Sequence, residues 1–265
     1  MKRRAICLFL LLGAAASAAD QPKTKRRRPL PYEYGRVVIA NHSEEAHLAP
    51  VVFDHWLHRS RYTCRLCHVD IGFAMKAGGT DIRAADNLAG QYCGACHNGR
   101  SASAEGTKIF EACADASSRD GKTCIRCHSQ GKDVKPQHDF AAVTGKLPRE
   151  RFGNGVDWDK AEALKLIKPA DFLEGVSVKR PPLRSPKDFA VTAKLEGMPN
   201  ILFSHVKHTV WNGCELCHPQ IFGVRKEASK VTMVQIFEGQ HCGTCHTTVA
   251  FPLIDCQRCH SRPVN

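Results

Sequence analysis

The sequence has no apolar run of the roughly 20 residues that a membrane-spanning helix needs. Its N-terminal apolar stretch covers only residues 5–12; basic residues precede it, and the small residues Ala16, Ser17 and Ala18 follow it. This order is typical of a cleaved secretory leader. We therefore predict a leader over residues 1–18 and an exported protein without a transmembrane segment, placed in the periplasm, at the outer membrane or outside the cell.

Cysteine and histidine are missing from residues 140–196, although the whole chain contains 14 of each. This gap separates a first cluster of these residues at 51–138 from a second cluster at 197–265. We predict a domain at each cluster, a connector at 139–196 between them, and a basic N-terminal extension at 19–50.

Both clusters begin with the same pattern, FxHxxHxxxxxCxxCH, at residues 53–68 and 203–218. The two histidines before the cysteines are three residues apart, so on a helix they lie on the same side and can reach two neighbouring metal centres. Because both copies keep the pair, we predict metal ligands rather than ordinary core histidines at His55, His58, His205 and His208.

The pattern CxxCH occurs six times, and it is the attachment signature of c-type haem. On a helical turn the two cysteines and the histidine share one face, so two thioether bonds can hold the porphyrin while the imidazole binds the iron. We predict six covalent haems c on the cysteine pairs Cys64 and Cys67, Cys93 and Cys96, Cys124 and Cys127, Cys214 and Cys217, Cys242 and Cys245, and Cys256 and Cys259. The predicted iron ligands within the motifs are His68, His97, His128, His218, His246 and His260.

Zinc sites and disulfides are the alternative explanations for paired cysteines. A zinc site needs four ligands in a tetrahedron, which gives no reason for a histidine directly after every second cysteine. A disulfide gives no reason either. Cys113 is the one cysteine of the mature chain outside a motif; we interpret it as a buried small residue, with an intermolecular bridge as the alternative.

The formal net charge of +12 would ordinarily indicate a nucleic acid or an anionic lipid as partner. Each ferric haem with two ionised propionates adds roughly −1 and each ferrous haem roughly −2, so the positive excess is mostly compensation for propionates. We therefore predict no nucleic-acid partner. The basic run at residues 23–28 is interpreted as a flexible tail, with peripheral docking to an acidic partner or a membrane surface as the alternative.

Several local features are predicted from patterns of residues. Residues 37–40 favour a short strand, and residues 157–167 favour an amphipathic helix capped by Asp157. The apolar side chains of Trp158, Phe172 and Leu195 indicate that the connector packs along the clusters. The glycines near the second motif of each half, which would let the backbone approach a flat macrocycle, are Gly90, Gly94, Gly239 and Gly243.

Each half resembles the triheme cytochrome c7 domain of the cytochrome c3 type, and the whole chain resembles exported multihaem cytochromes with two such domains in tandem. The FxHxxH pattern and three CxxCH motifs of each half carry this resemblance. It implies a mostly irregular fold with short α-helices and minimal β structure, and iron bound by two histidines. It also implies that His55 and His205 serve the Cys93 and Cys242 haems, while His58 and His208 serve the Cys64 and Cys214 haems.

The third haem of each half departs from the family pattern, which places a distal histidine a few residues before the second CxxCH. In the second half His241 adjoins Cys242; it is a candidate ligand for the Cys256 haem, and Met233 is its competitor. In the first half Tyr92 takes the equivalent place. For the Cys124 haem the possibilities left open are an empty sixth position and the side chains of His42, His47, Met75 and His138.

The main functional hypothesis is an electron-transfer protein without catalytic activity, because six-coordinate haems pass single electrons and have no vacant site for a substrate. Its partners would be redox proteins such as other cytochromes or terminal reductases. One alternative is a reductase of a small nitrogen or sulfur oxyanion at a five-coordinate haem, although the sequence has no CxxCK variant. Another is a structural subunit of a haem filament or surface complex.

Overall fold

The computed structural model describes residues 27–103, 106–113, 123–129, 139–181, 184–193, 195–225 and 228–262. The predicted leader at 1–18, most of the basic run at 23–28, and His138 lie outside these ranges. Within them, no helix combines the length and the apolar character needed to cross a membrane.

In the first half, a small antiparallel sheet leads into a histidine-bearing helix. Strand β1 (Arg36–Ile39) pairs with strand β2 (Val51–Asp54), with Val37 opposite Phe53, and helix α1 (His55–Arg59) follows at once. The strand predicted at residues 37–40 is confirmed as β1, which begins one residue earlier.

The second half repeats this strand-then-helix unit. Strand β4 (Asn200–Phe203) lies between β3 (Phe189–Val191) and β5 (His260–Arg262), and helix α5 (His205–Asn212) follows it. The FxHxxH pattern therefore folds in a similar way in both halves, with the phenylalanine in the last two residues of a strand and both histidines on the helix.

The other elements are short. The α-helices are α2 (Ala84–Leu88), α3 (Phe140–Thr144), α4 (Trp158–Ala163), α6 (Met233–Phe237), α7 (Gly243–His246) and α8 (Cys256–Cys259), with 3-10 turns at Pro31–Glu33, Tyr92–Ala95 and Cys124–Arg126 and a π-helical turn at Leu66–Ile71. Helices of one or two turns are unstable alone in water and need tertiary contacts. The predicted fold class, mostly irregular chain with short helices and minimal β structure, is confirmed.

The connector supplies much of the buried side-chain core. A cluster of buried apolar residues joins Trp56 of α1 to four residues of the connector: Leu147, Val156, Trp158 and Ala161. In contrast, the Phe172 and Leu195 side chains are exposed, at 39% and 67%. The connector thus packs mainly through the region around α4, against the first histidine-bearing helix.

Helix α4 is shorter than the sequence predicts. Asp157 does cap it, because its carboxylate accepts a hydrogen bond from the Lys160 N–H at 3.0 Å. The helix ends at Ala163 instead of reaching residue 167, since Lys165 adopts a left-handed φ of 58°. The Leu166 N–H then donates back to the Ala161 carbonyl at 2.9 Å, which is the Schellman way of closing a helix.

Polar contacts tie the connector to both halves. Its Ala170 exchanges backbone hydrogen bonds with Arg61 and Thr63 of the first half, at 2.7 and 3.1 Å. Toward the second half, Lys207 forms an ion pair with Asp159. Arg180 bridges the two halves directly, because it contacts both Asp70 at 2.8 Å and Glu215 at 3.0 Å.

Candidate functional site

The CxxCH motifs form helical turns. In five of them the N–H of the histidine donates to the carbonyl of the first cysteine, the i to i−4 bond of an α-helix; the histidines are His97, His128, His218, His246 and His260. The two sulfurs and the imidazole of such a turn lie on one face, which is the arrangement that the spacing predicts.

The motif cysteines are neither cross-linked nor grouped for a metal ion. All thirteen cysteines within the described ranges carry free thiols. In the same part of the chain, no three or more His, Cys, Asp or Glu side chains come together as a metal-ion site. The described residues therefore give no support to a disulfide or a zinc explanation of the cysteine pairs.

Each of the six histidines that end the motifs makes the same kind of hydrogen bond. The Nδ1 atom lies 2.7 to 3.2 Å from a backbone carbonyl oxygen, which belongs to Phe73 for His68, Phe110 for His97, Ala49 for His128, Phe222 for His218, Phe251 for His246 and Pro199 for His260. A carbonyl can only accept, so Nδ1 carries the hydrogen and Nε2 keeps its lone pair. A backbone carbonyl thus holds each imidazole and leaves its Nε2 lone pair for a metal, which fits a haem ligand.

The five further histidines predicted as ligands make the same contact. Their Nδ1 atoms lie next to the carbonyls of Gly35 for His55 (2.6 Å), Asp54 for His58 (3.5 Å), Lys187 for His205 (3.3 Å), Ser204 for His208 (2.8 Å) and Ile221 for His241 (2.9 Å). His42 is different, since its outer nitrogen, Nε2, lies 2.5 Å from the Asp81 carboxylate. The predicted ligands therefore use Nδ1 for their hydrogen bond and leave Nε2 for a metal, whereas His42 uses its Nε2 to contact Asp81.

Three pairs of imidazole rings face each other across a nearly constant gap. The ring centroids are 6.4 Å apart for His55 and His68, 6.3 Å for His58 and His97, and 6.3 Å for His208 and His246. Two metal–imidazole bonds of roughly 2 Å and two ring radii of roughly 1.1 Å would place the centroids about 6 Å apart. The three gaps therefore fit one metal atom held between two rings.

These pairs give a different order from the one that the family resemblance implies. His55 was expected to serve the Cys93 haem, but its ring faces His68 of the Cys64 motif; His58 faces His97 of the Cys93 motif instead. In the second half, His208 faces His246 of the Cys242 motif and not the Cys214 motif. The three-residue spacing places both rings on one side of the helix. The tertiary position of the helix decides which ring meets which motif.

Burial keeps the paired imidazoles neutral. It lowers the pKa of His58 to about 3, and the nearby His97 lowers it further. Burial likewise lowers the pKa of His55 to about 4 and that of His246 to about 4, with smaller contributions from His68 and His208. A neutral imidazole is the form that offers a lone pair to a metal.

The motif thiols lie close to one another across the two halves. Burial raises the pKa of Cys245 to about 12, and the thiols of Cys64 and Cys217 raise it further. Burial also raises the pKa of Cys93 to about 12, with a contribution from Cys127. Cysteine pairs of the first half therefore lie near cysteine pairs of the second half.

The second ligand predicted for the third haem of each half is less well defined. Tyr92 and His241 occupy equivalent places: their φ angles are 47° and 51°, and their rings lie 5.7 and 5.6 Å from Phe73 and Phe222. Met233, the competitor of His241, is 41% exposed at the start of α6. Tyr92 thus lies where the second half has a histidine.

The glycines near the second motif of each half lie where the backbone itself requires glycine. A Cβ atom on Gly94 would lie 1.8 Å from the Asn87 carbonyl oxygen, and one on Gly243 would lie 1.9 Å from that of Ile236. Gly90 and Gly239 follow α2 and α6 with left-handed φ angles of 81° and 85°. Close approach of two backbone segments explains the first two positions, and helix termination explains the others. That these glycines let the backbone approach a macrocycle stays a prediction.

Replacing Gly94 with alanine is therefore expected to cost about 3 kcal/mol or more, because the obstructing atom is a backbone oxygen that cannot swing aside. The matched variant Gly90→Ala has open space around its Cβ and is expected to cost only about 1 kcal/mol, for the left-handed φ. Denaturant unfolding of the haem-loaded protein measures both. Equal costs would contradict the backbone explanation.

Two of the motif histidines carry a stack of a phenylalanine and an arginine that was not predicted from the sequence. Phe110 packs on His97 and Phe251 packs on His246, with ring centroids 4.4 and 4.3 Å apart. An arginine guanidinium covers each phenylalanine, Arg126 at 3.8 Å and Arg258 at 4.5 Å. The signal was present, because both arginines precede the second cysteine of the third motif, in CIRC and CQRC.

Free thiols in pairs on helical turns, each followed by an imidazole whose Nε2 is left for a metal, define a c-type cytochrome with covalently attached haem. The model of the family described as cytochrome c7 and related cytochrome c matches residues 51–129 and 201–261, so the chain belongs to this family. The predicted family resemblance and the haem c cofactor are confirmed.

Solved structures are also similar to the chain. One is the C-terminal hexaheme fragment of a dodecaheme cytochrome c, at 23% identity over 85% of this chain and 96% of that chain, with a TM-score of 0.26. The N-terminal hexaheme fragment is 25% identical over 85% of this chain and 98% of that chain, with a TM-score of 0.26. A c7-type three-heme cytochrome domain is 33% identical over 29% of this chain and 95% of that chain, with a TM-score of 0.27. No curated protein matches the chain.

Proposed function

We propose that the chain is a hexahaem c-type cytochrome that carries single electrons and catalyses no reaction of its own. Its triheme domains would occupy residues 51–138 and 197–265, joined by the connector at 139–196. The observation that supports this most is the common orientation of eleven histidines, each of which donates from Nδ1 to a carbonyl. Haem c supplies the one-electron couple when it is bound.

The chain contributes two imidazoles to most of the metal centres in this proposal. The ring pairs of His55 with His68, His58 with His97 and His208 with His246 support three such centres. By the repeat we assign His205 to His218, and we keep His241 as the ligand opposite His260. Rigid, carbonyl-anchored rings favour electron transfer because the ligand set need not rearrange when the charge changes.

The junction between the halves supports conduction along the whole chain. The thiols of Cys64, Cys217 and Cys245 lie close enough to influence one another. Arg59 of α1 reaches the same region, where it donates to the Val249 carbonyl at 2.9 Å and lies 5.2 Å from the Trp211 ring. The attachment sites of the two domains are therefore neighbours at this junction.

We place the protein outside the cytoplasmic membrane, where haem c is attached to proteins and where the predicted leader at 1–18 would send it. Its partners in this proposal are other redox proteins, including cytochromes and terminal reductases. No nucleic acid is involved, because the positive charge of the polypeptide is offset by haem propionates.

Haem counting and carbon monoxide binding test the proposal together. Pyridine haemochrome analysis of the purified protein is expected to give close to six haems c per chain, and intact mass should rise by the same number of haem groups. Carbon monoxide added to the reduced protein should bind at most one haem, because paired imidazoles leave no open position. Three haems or fewer would reject the hexahaem proposal, and strong binding at several haems would favour the reductase.

A further inference from the structure

The proximal side of the Cys242 site is assembled from three parts of the chain. The Nδ1 atom of His246 donates to the Phe251 carbonyl at 3.0 Å, and the Phe251 ring packs on the same imidazole. The two carbonyls before Phe251 are held from the first half: Val249 accepts from Arg59 at 2.9 Å, and Ala250 accepts from the Tyr34 hydroxyl at 2.5 Å. The segment that orients His246 is therefore fixed at both its backbone and its ring.

Carboxylates of the connector hold the arginine above this ring. The Arg258 guanidinium lies 4.5 Å from the centre of Phe251 and forms an ion pair with Glu150. Its second terminal nitrogen lies 3.4 Å from the Asp157 carboxylate. The Glu150 side chain is only 14% exposed, so solvent screens this pair less than it would a surface pair.

The first half has the same stack with a different charge balance. His97 donates to the Phe110 carbonyl at 3.2 Å, and Arg126 covers the Phe110 ring at 3.8 Å. Among the residues that the structure describes, no carboxylate forms an ion pair with Arg126. The imidazole of His97 thus has a positive charge behind its phenylalanine, whereas the arginine behind that of His246 is paired with two carboxylates of the connector.

We propose that Arg258 is a positioning residue for the His246 imidazole, and that Glu150 keeps the haem bound there at a lower reduction potential than the equivalent haem at His97. The inference rests on the proposed function, since it concerns the order in which the metal centres are reduced. A nearby positive charge favours the ferrous form, and a carboxylate that cancels it favours the ferric form. The connector would then create a difference in potential between two otherwise equivalent sites.

Replacing Glu150 with glutamine tests the charge. Removing one largely buried negative charge is expected to shift the ferrous-to-ferric ratio at fixed potential by about threefold to tenfold toward the ferrous form. Tenfold corresponds to about 59 mV for a one-electron couple. A redox titration followed by NMR of the full protein measures this for the haem whose resonances show contacts with the Phe251 ring. Arg126→Gln should move the haem in contact with Phe110 the opposite way.

Glu174→Gln is the matched control, because it removes the same charge from an exposed position of the connector and should leave all potentials unchanged. Arg258→Lys keeps the charge but loses the planar group that stacks on Phe251; it should alter the low-spin EPR signal of the same haem. An unmoved potential in Glu150→Gln, or an equal shift in Glu174→Gln, would overturn the inference. The proposed function fails separately, through a low haem count or high-spin haems in the unmodified protein.

Discussion

Replacing His208 with alanine is expected to turn one low-spin haem into a high-spin haem that takes up one equivalent of carbon monoxide when reduced. The His208 ring lies 6.3 Å from His246, and its Nδ1 donates to the Ser204 carbonyl at 2.8 Å, which points the other nitrogen into the gap. In the proposed ligand set, alanine would leave the iron with His246 as its one protein ligand. The absorption spectrum and EPR of the variant measure the change.

The same variant distinguishes two assignments of the ligand. The ring pairs place the affected haem at the Cys242 motif, so its resonances should show contacts with Phe251, which packs on His246. The family resemblance implied the Cys214 motif, where the histidine His218 donates to the Phe222 carbonyl. Contacts of the high-spin haem with Phe222 would therefore restore that implied order, and an unchanged spectrum would remove His208 from the ligands.

His42→Ala is the matched control for this experiment. His42 was left open as a ligand of the Cys124 haem, but its Nε2 lies 2.5 Å from Asp81. We expect the variant to keep every haem low-spin. A new high-spin signal would show that His42 leaves Asp81 to bind iron when haem is attached.

The local part of the site could be predicted from the sequence because it depends on spacing within one turn. The CxxCH residues share a helical face, and His55 and His58 lie on α1 as their three-residue spacing predicts. Which motif each ring meets could not be predicted, since that depends on how the whole helix crosses the chain. The order implied by the family resemblance differs from that of the ring pairs.

The role of single residues was harder to predict where two distant segments meet. Gly94 was predicted to let the backbone approach a flat macrocycle, and the structure adds a further constraint, because a Cβ there would meet the Asn87 carbonyl oxygen. Arg258 lies inside a predicted haem motif, yet its partners Glu150 and Asp157 are about 100 residues away in the connector. Neither relation leaves a periodic pattern in the sequence, because tertiary packing alone creates it.

Replacing Trp158 with alanine should destabilise the protein by about 3–5 kcal/mol, because the connector contributes side chains to the buried core and is not a flexible tether. Trp158 is 6% exposed and packs with Trp56 of α1 in the main buried cluster. Its indole N–H donates to the Asn154 side chain at 3.1 Å, and its ring lies 4.7 Å from the Arg59 guanidinium. Alanine would remove the ring that supports Arg59, which in turn holds Val249 of the second half.

Two further variants separate this explanation from a general sensitivity of the connector. Leu195→Ala removes an apolar side chain that is 67% exposed and should change the free energy of unfolding by less than about 0.5 kcal/mol. Trp158→Phe keeps an aromatic ring but loses the indole N–H, and should cost about 1–1.5 kcal/mol. Denaturant unfolding of the haem-loaded protein, followed by Soret circular dichroism, compares the three. If Trp158→Ala proved as mild as Leu195→Ala, the connector would be a tether and the two domains would be stabilised by their haems alone.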